Sequence, residues 1–184
     1  MEFDENDKKV LSRITCITGG ARSGKSSYAL DAAVKLDGKK GFIATAQACD
    51  HEMEKRIADH KSERGDSFVT IEEPLALSSV IDTASLIYDV LVVDCLTVWL
   101  ANIYYHTDND IKQIEHYIKS LGDVLQKVNN TLFIITNEVG WGIVPEGALA
   151  RSYRDYAGHL NKVVAYHADQ VVLMVSGIPV MVKG

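Results

Sequence analysis

The chain has 184 residues, of which 47% are hydrophobic and 24% are charged, and its formal net charge at pH 7 is −6. This length and composition indicate one globular domain, and the negative charge argues against a general nucleic-acid surface, which requires clustered Lys and Arg. The 3 cysteines are odd in number and lack metal-ligand spacing, so we expect a reducing cytoplasm as the location.

The predicted elements follow one another from residue 14 onward. Residues 1–13 are charged and polar, and we interpret them as a flexible extension before a single domain of residues 14–184. No apolar run approaches the length of a membrane span. The predicted strands are Ile14–Thr18, Gly41–Thr45, Phe68–Glu72, Val90–Asp94, Thr131–Thr136, Gln170–Val175 and Val180–Val182. The predicted helices are Lys25–Leu36, His51–Arg64, Leu75–Ser85, Ile111–Val128 and Ala148–His167.

This alternation predicts an α/β fold, with a mostly parallel sheet and helices on both faces. Leu91–Val93 and Leu132–Ile135 are apolar without alternation, as expected of strands that are covered on both faces. The last helix should bury one stripe whose members recur at intervals of three and four, namely Leu149, Tyr153, Tyr156, Leu160, Val163 and His167.

The loop between the first strand and the first helix fits the pattern Gly-x4-Gly-Lys-Ser. Its residues are Gly19, Gly20, Ala21, Arg22, Ser23, Gly24, Lys25 and Ser26. Glycines let several backbone N–H groups face one anion, and the helix adds its positive end. Lys25 would reach the outer phosphates and Ser26 would hold Mg²⁺. A Gly-rich turn can also be a mere connection, but the Lys-Ser pair favours a nucleoside triphosphate site.

Two further segments follow buried strands. Asp94 ends the apolar run Leu91–Val93, and next to a phosphate loop such a carboxylate is typical of a Mg²⁺ ligand. The segment Thr136–Glu146 carries polar side chains and then two glycines. It is either a site loop at the ligand-binding edge of the sheet or a Gly-rich turn that covers it.

His60 lies at the border between the polar and apolar faces of the predicted helix His51–Arg64. A histidine in such a position is most often structural. Its other role would be that of a nucleophile, with Arg56 close to the phosphate that it attacks. The residues alone favour the structural role.

Taken together, these motifs resemble one family, the bifunctional adenosylcobinamide kinase/adenosylcobinamide-phosphate guanylyltransferases of cobalamin biosynthesis. The residues that carry the resemblance are Thr18–Ser26, Ile43–Ala46, Arg56-Ile57-x-x-His60-Lys61, Thr136–Pro145, Arg151, Arg154-Asp155-x-x-Gly158-x-x-Asn161 and Val175–Pro179. The resemblance extends from about Ile14 to Lys183, nearly the whole chain.

The resemblance implies a RecA-like P-loop fold, a homotrimer and two reactions. A nucleoside triphosphate first phosphorylates the aminopropanol hydroxyl of adenosylcobinamide. GTP then transfers GMP to a protein histidine, releasing pyrophosphate, and the GMP passes to adenosylcobinamide phosphate. The guanylylated histidine of the family corresponds to His60, so the resemblance favours the catalytic role of His60 over the structural one.

These expectations define a site. We expect Lys25, Arg56 and His60 to be catalytic, and Ser26 and Asp94 to bind Mg²⁺. Besides the loop itself, Ser27, Thr45 and Glu72 are expected to contact the nucleotide, which is GTP, or ATP in the kinase step. Glu72, Glu73 and Glu138 stand at predicted strand ends, and any of them could accept the substrate hydroxyl proton. The polar face of the last helix, with Arg151 and Arg154, is a candidate wall for the corrinoid.

Two other classes of function remain open. A P-loop small-molecule kinase without the guanylyl step would need Lys25 and Asp94 but not His60. A nucleotide-binding regulatory module would bind GTP without corrinoid-dependent turnover.

Overall fold

A single sheet organises the chain. The computed structural model describes residues 13–47, 61 and 65–184. Within these residues the sheet has 7 strands in the order β3-β2-β4-β5-β1-β6-β7. Their bounds are β1 Ile14–Gly19, β2 Lys40–Ala44, β3 Val69–Glu72, β4 Val90–Asp94, β5 Thr131–Ile135, β6 Gln170–Val175 and β7 Ile178–Lys183. Strands β1 to β6 are parallel, and β7 pairs antiparallel to β6 at one edge.

The helices of the described residues flank this sheet. They are α1 Lys25–Val34, α2 Leu77–Ala84, α3 Leu96–His106, α4 Ile111–Leu125 and α5 Ala148–His167, with short 3-10 turns at Gly65–Ser67 and Val139–Trp141. None of them combines the length and the apolar character that crossing a membrane requires.

Two apolar cores lie on opposite faces of the sheet, because alternate residues of each strand point to opposite sides. Val92 and Phe133 pack with α1, through residues such as Ala29 and Ala33. Leu91 and Val93 on β4, with Leu132 and Ile134 on β5, belong to the other core, to which α2, α3, α4 and α5 all contribute. The predicted α/β fold, with a mostly parallel sheet covered on both faces, is confirmed.

The predicted strands are all present, with bounds that differ by a residue or two at most positions. Helix α2 begins at Leu77 rather than Leu75, because the Glu73 carboxylate accepts hydrogen bonds from the N–H groups of Leu75 (2.8 Å) and Ala76 (2.7 Å) before the first turn. Helices α1 and α4 end earlier than predicted, at Val34 and Leu125. The predicted helix His51–Arg64, apart from Lys61, lies outside the described residues, and so do residues 1–12 of the predicted extension 1–13.

Helix α3 was not predicted from the sequence. Its residues LTVWLANIYYH are apolar around most of the helix, and Leu96, Trp99, Leu100, Ile103 and Tyr104 are buried. A helix that is buried on several sides has no polar face, so it gives no clear helical period. Its β-branched and aromatic residues also weaken the intrinsic preference for helix.

The buried stripe of α5 differs from the prediction at its start and in its centre. Leu149 is 56% exposed, and the fully buried residues are Ala157, Leu160 and Val164. Tyr153, Tyr156 and Val163 are partly buried beside the stripe.

Candidate nucleotide site

The loop that joins β1 to α1 has the backbone of a phosphate-binding turn. Gly19 has a φ of 142°, and a Cβ atom added there would lie 2.4 Å from the carbonyl oxygen of Met174 on β6. Gly24 precedes α1 with a φ of 92°, in the left-handed region. Both positions require glycine, because an L side chain would be strained at Gly24 and would also collide at Gly19.

Lys25 is the first residue of α1, and its side chain lies within the loop. It is only 7% exposed. Its Nζ donates hydrogen bonds to the carbonyl oxygens of Gly20 (2.6 Å) and Gly19 (3.2 Å). The ammonium group is therefore held in the concavity formed by the loop, where an anion would meet it.

Ser26 and Asp94 bring the two nucleotide motifs together. Asp94 is the last residue of β4, and its Oδ2 accepts a hydrogen bond from Ser26 Oγ at 2.7 Å. Hydroxyl and carboxylate oxygens are ligands that Mg²⁺ prefers, and Mg²⁺ is commonly held by one or two such groups plus substrate phosphates. Among the described residues no group of three or more His, Cys, Asp or Glu side chains could hold a metal by itself. The pair therefore fits Mg²⁺ that arrives with a nucleotide.

Thr45 lies directly behind Asp94. It is 0% exposed, and its hydroxyl donates to the carbonyl of Cys95 (2.8 Å) and accepts from the N–H of Cys95 (2.9 Å). Its own N–H donates to the carbonyl of Asp94 at 3.1 Å. The Thr45 hydroxyl thus holds the backbone of Cys95, the residue after Asp94, and in this way helps to position the Asp94 carboxylate. Burial raises the pKa of the neighbouring Cys95 thiol to about 11, which keeps the thiol neutral near pH 7.

The three candidate acceptors of the substrate hydroxyl proton, Glu72, Glu73 and Glu138, have different surroundings. Glu72 is exposed at the end of β3 and forms an ion pair with Lys61 at 2.6 Å. Glu73 accepts the two N–H groups that precede α2, as described above. Glu138 is partly buried, and its Oε1 accepts a hydrogen bond from Thr18 Oγ1 at 2.6 Å, directly before the phosphate loop.

The first residues of the segment Thr136–Glu146, which follows β5, are hydrogen-bonded to the phosphate loop and to α5. The N–H of Glu138 donates to the carbonyl of Gly19 at 3.2 Å. Asn161 of α5 donates to Glu138 Oε1 at 3.2 Å and to the carbonyl of Asn137 at 3.0 Å, and its own Oδ1 accepts from the Thr136 hydroxyl at 2.6 Å. One amide side chain thus fixes three consecutive residues beside the loop.

Helix α3 supports the same segment from the other side. Thr97 Oγ1 accepts hydrogen bonds from the N–H of Asn137 (3.0 Å) and from Asn137 Nδ2 (2.9 Å). Tyr153 of α5 donates to the carbonyl of Thr97 at 2.7 Å. Burial raises the pKa of the Tyr153 hydroxyl, so it remains a donor at neutral pH.

Two arginines of α5 hold the rest of this segment rather than projecting freely from the helix. Arg154 donates to the carbonyl of Gly140 at 2.8 Å, and Arg151 donates to the carbonyls of Pro145 (3.1 Å) and Glu146. The apolar side chains between these points remain in contact with solvent, since Trp141 is 72% and Ile143 is 97% exposed. The segment thus contacts the phosphate loop at its start and forms an exposed apolar strip further on.

The turn between β6 and β7 also contacts the phosphate loop. The N–H of Gly177 donates to the carbonyl of Ser23 at 3.1 Å. Ser176 and Gly177 both have positive φ, at 50° and 84°, as a tight hairpin turn requires. The tail motif Val175–Pro179 therefore lies at the same edge of the sheet as the phosphate loop.

The described residues bring together the loop Gly19–Ser26, Thr45 and Asp94, while Glu72 lies further along the same edge. Arg56 and His60 lie outside the described residues, and Lys61, which follows His60, pairs with Glu72 at the end of β3. Sequence reasoning did not single out Thr18, Thr97 and Asn161 as functional positions. Thr18 and Asn161 stood in the motifs quoted for the family resemblance, whereas nothing in the sequence distinguished Thr97.

Comparison with known proteins agrees with this geometry. Residues 15–182 match the family model described as Cobinamide kinase / cobinamide phosphate guanyltransferase. The chain is 39% identical over 168 residues to the bifunctional adenosylcobalamin biosynthesis protein CobP of Pseudomonas aeruginosa, covering 91% of this chain and 96% of that protein. It is 36% identical over 178 residues to the bifunctional adenosylcobalamin biosynthesis protein CobU of Escherichia coli, covering 91% of this chain and 98% of that protein.

Solved structures with the same fold are much more distant in sequence. The RadB recombinase has a TM-score of 0.52 and 15% identity, covering 87% of this chain and 73% of that chain. A prototypical ATPase from the type III secretion system of pathogenic bacteria has a TM-score of 0.50 and 13% identity, covering 89% of this chain and 51% of that chain. At such identities the likeness concerns the fold alone, and it confirms the RecA-like P-loop architecture.

Proposed function

The chain belongs to the cobinamide kinase / cobinamide phosphate guanyltransferase family, and we propose that its phosphate loop, Ser26 and Asp94 bind the nucleotide for this chemistry. As a member, it is a bifunctional transferase of adenosylcobalamin biosynthesis. A small-molecule kinase without the guanylyl step is not favoured, because the relatives that match over most of the chain are named bifunctional. The same names disfavour a module that only binds nucleotide.

The first reaction is phosphorylation of the adenosylcobinamide hydroxyl. The N–H groups of Gly19–Ser26 and the Lys25 ammonium bind the phosphates of GTP or ATP, with Ser27, Thr45 and Glu72 completing the site. Mg²⁺ held by Ser26 and Asp94 would neutralise charge on the departing diphosphate. The 2.7 Å contact between Ser26 and Asp94 is the observation that carries this assignment, since it joins the loop to the carboxylate that the chemistry requires.

The second reaction transfers GMP through the protein. His60 attacks the α-phosphorus of GTP, a P–N bond forms, and the bond to pyrophosphate breaks. Arg56 stabilises the phosphate under attack. A phosphate oxygen of adenosylcobinamide phosphate then attacks the same phosphorus, the P–N bond breaks, and the products are adenosylcobinamide-GDP and free His60. Dividing the transfer in this way replaces one difficult step by two easier ones.

A labelling experiment tests this assignment. Protein is incubated with Mg²⁺ and α-labelled GTP, and the adduct is tested for the acid lability and base stability of a phosphoramidate. We expect an adduct in wild type and in His116→Ala, whose histidine is exposed on α4, and none in His60→Ala. We also expect Lys25→Ala to lose nucleotide binding. An adduct that persists in His60→Ala would contradict the role of His60.

We further propose that the chain acts as a homotrimer in the cytoplasm. Exposed apolar side chains on the edge strand β7, such as Val182 (63% exposed), and on the strip with Ile143 support assembly through these surfaces. A reducing compartment suits the unpaired thiols of Cys16 and Cys95. Light scattering coupled to size exclusion should give three times the chain mass of 20.3 kDa. A mass of one or two chains at working concentration would overturn the trimer.

A further inference from the structure

Glu138 lies just beyond the carboxyl end of the central strand β5. Strand β5 lies between β4, which ends in Asp94, and β1, which leads into the phosphate loop. Side chains that follow the carboxyl ends of parallel strands meet at one edge of the sheet. Glu138 comes three residues after β5, so it stands between the Mg²⁺ ligand and the phosphate loop.

Contacts from two elements, β1 and α5, fix its orientation. Oε1 accepts hydrogen bonds from the Thr18 hydroxyl at 2.6 Å and from the Asn161 amide at 3.2 Å. The Asn161 amide is itself oriented by the Thr136 hydroxyl and the carbonyl of Asn137. Both donors bind the same oxygen of Glu138, and within the described part of the chain Oε2 accepts no hydrogen bond. One oxygen is thus anchored, and the other is available to a substrate.

Glu138 is also close to the cation of the site. The carbonyl oxygen of Gly19 accepts hydrogen bonds from Lys25 Nζ and from the N–H of Glu138, each at 3.2 Å. The other two candidate carboxylates are engaged elsewhere, Glu72 with Lys61 and Glu73 with the start of α2. Of these three, Glu138 is hydrogen-bonded directly to the phosphate loop, through its N–H and the carbonyl of Gly19.

We propose that Glu138 accepts the proton of the acceptor hydroxyl in the phosphorylation step, and that Thr18 and Asn161 are the positioning residues that hold it. This rests on the proposed function. The hydroxyl oxygen forms a bond to the γ-phosphorus, and the bond from that phosphorus to the β,γ-bridging oxygen breaks. The nucleoside diphosphate leaves with that electron pair, the hydroxyl proton passes to Glu138 Oε2, and the proton is later released to water.

The same carboxylate has no corresponding role in the guanylyl step. The nucleophile there is His60, and a neutral imidazole nitrogen attacks without first losing a proton to a carboxylate. The two half-reactions should therefore respond differently to loss of Glu138. This difference separates a base in the kinase step from a residue that merely shapes the phosphate loop.

The test is Glu138→Gln, which keeps an oxygen for Thr18 and Asn161 but cannot take up a proton. We expect kcat for phosphorylation to fall about 100-fold, the lower range for loss of a general base, with KM for the nucleotide changed less than about threefold. The rate of adduct formation from α-labelled GTP should stay unchanged. Asn161→Ala should lower the same kcat about tenfold, because the carboxylate keeps its chemistry but loses one anchor.

Glu115→Gln is the matched control, since it removes the same charge from an exposed position on α4, and it should leave both half-reactions unchanged. The proposal is overturned if Glu138→Gln retains phosphorylation within threefold, or if adduct formation and nucleotide affinity fall together with it. It is also overturned if Glu73→Gln shows the selective loss of kcat instead. Wild type that neither phosphorylates adenosylcobinamide nor forms the adduct would refute the proposed function itself.

Discussion

The hydroxyl of Ser26 donates a hydrogen bond to Oδ2 of Asp94 at 2.7 Å, although 68 residues separate the two in the chain. The contact joins the first turn of α1 to the carboxyl end of β4, two strands away from β1 in the sheet. A phosphate loop and an acidic strand end are common features when taken separately. Their direct contact supports our proposal that they form one site for a nucleotide and its cation.

Replacing Asp94 should therefore impair both reactions by weakening Mg²⁺ binding. We expect Asp94→Asn to lower kcat/KM for phosphorylation about 100-fold or more, because loss of one electrostatic group in such a site typically costs a factor of this size. The Mg²⁺ concentration for half-maximal rate should rise. A Mg²⁺ titration of the initial rate measures both effects, with Asp82→Asn on the surface of α2 as the control. An unchanged Mg²⁺ dependence in Asp94→Asn would contradict the assignment.

Gly19→Ala should destabilise the fold itself. The added Cβ would meet the carbonyl oxygen of Met174 at 2.4 Å, and a φ of 142° is unfavourable for alanine. We expect a loss of about 2–5 kcal/mol in the free energy of unfolding, from overpacking and backbone strain together. Gly20→Ala is the matched control, because nothing lies within 4 Å of its Cβ, and it should change stability by less than about 1 kcal/mol. Urea denaturation would compare them, and equal stabilities would refute the clash.

The two tryptophans should respond differently to the same substitution. Trp99 is 0% exposed, its Nε1 donates to the carbonyl of Leu75 at 2.9 Å, and its ring meets that of Tyr117 edge to face at 6.3 Å. Trp99→Phe should cost about 1–3 kcal/mol, because it leaves that carbonyl without its donor. Trp141 is 72% exposed, so Trp141→Phe should stay within about 0.5 kcal/mol. Equal unfolding midpoints for the two variants would contradict this account.

The cap of α4 should make stability depend on pH in the acid range. The Gln113 side chain and the Lys112 N–H donate to the Asp110 carboxylate, and these hydrogen bonds lower the pKa of Asp110. The pKa of Asp110 in the folded protein is therefore lower than the value of about 3.9 in the unfolded chain. Its carboxylate contributes fully to the free energy of unfolding above about pH 3.9, and this contribution is lost as the pH falls through the folded pKa.

Melting temperatures of wild type, Asp110→Ala and Asp110→Asn, measured across the acid range, should show this pH dependence. The advantage of wild type over Asp110→Ala should shrink below about pH 4, where the carboxylate takes up a proton. Asp110→Asn keeps a neutral acceptor at the same position, and Asn is as good a capping residue as Asp. Its advantage over Asp110→Ala should therefore stay constant from pH 7 to pH 3. Parallel curves for all three proteins would show that the cap has no role.

Much of the fold could be predicted from the sequence because each strand carries its own local signal. The run Leu91–Val93 is apolar at every position, and all three of its residues are 0% exposed between the two cores. Helix α5 was predicted with its bounds, because its polar face makes the helical period visible. Helix α3 has no such face, since α4 and α5 pack around it, and so its local pattern did not reveal it.

Only part of the candidate site could be predicted from the sequence. The glycines, Lys25 and Ser26 could be read from one short segment, because a phosphate loop is built from neighbouring residues. The sequence could not show which of Glu72, Glu73 and Glu138 is available in the site. That depends on their partners in the fold, which are Lys61, the start of α2 and Asn161, respectively. Thr45 shows the same limit, because its hydrogen bonds to Cys95 follow from the adjacency of β2 and β4.

Sequence by itself determined every element except helix α3 among the described residues, together with the phosphate loop and the family, because apolar period, glycine spacing and motif are properties of short stretches of chain. Tertiary structure decided which side chains share the site. The parallel strand order places the ends of β4, β5 and β1 side by side, and this brings Asp94, Glu138 and Ser26 to one edge. Such adjacency arises from packing two apolar cores against opposite faces of one sheet, and no local pattern encodes it.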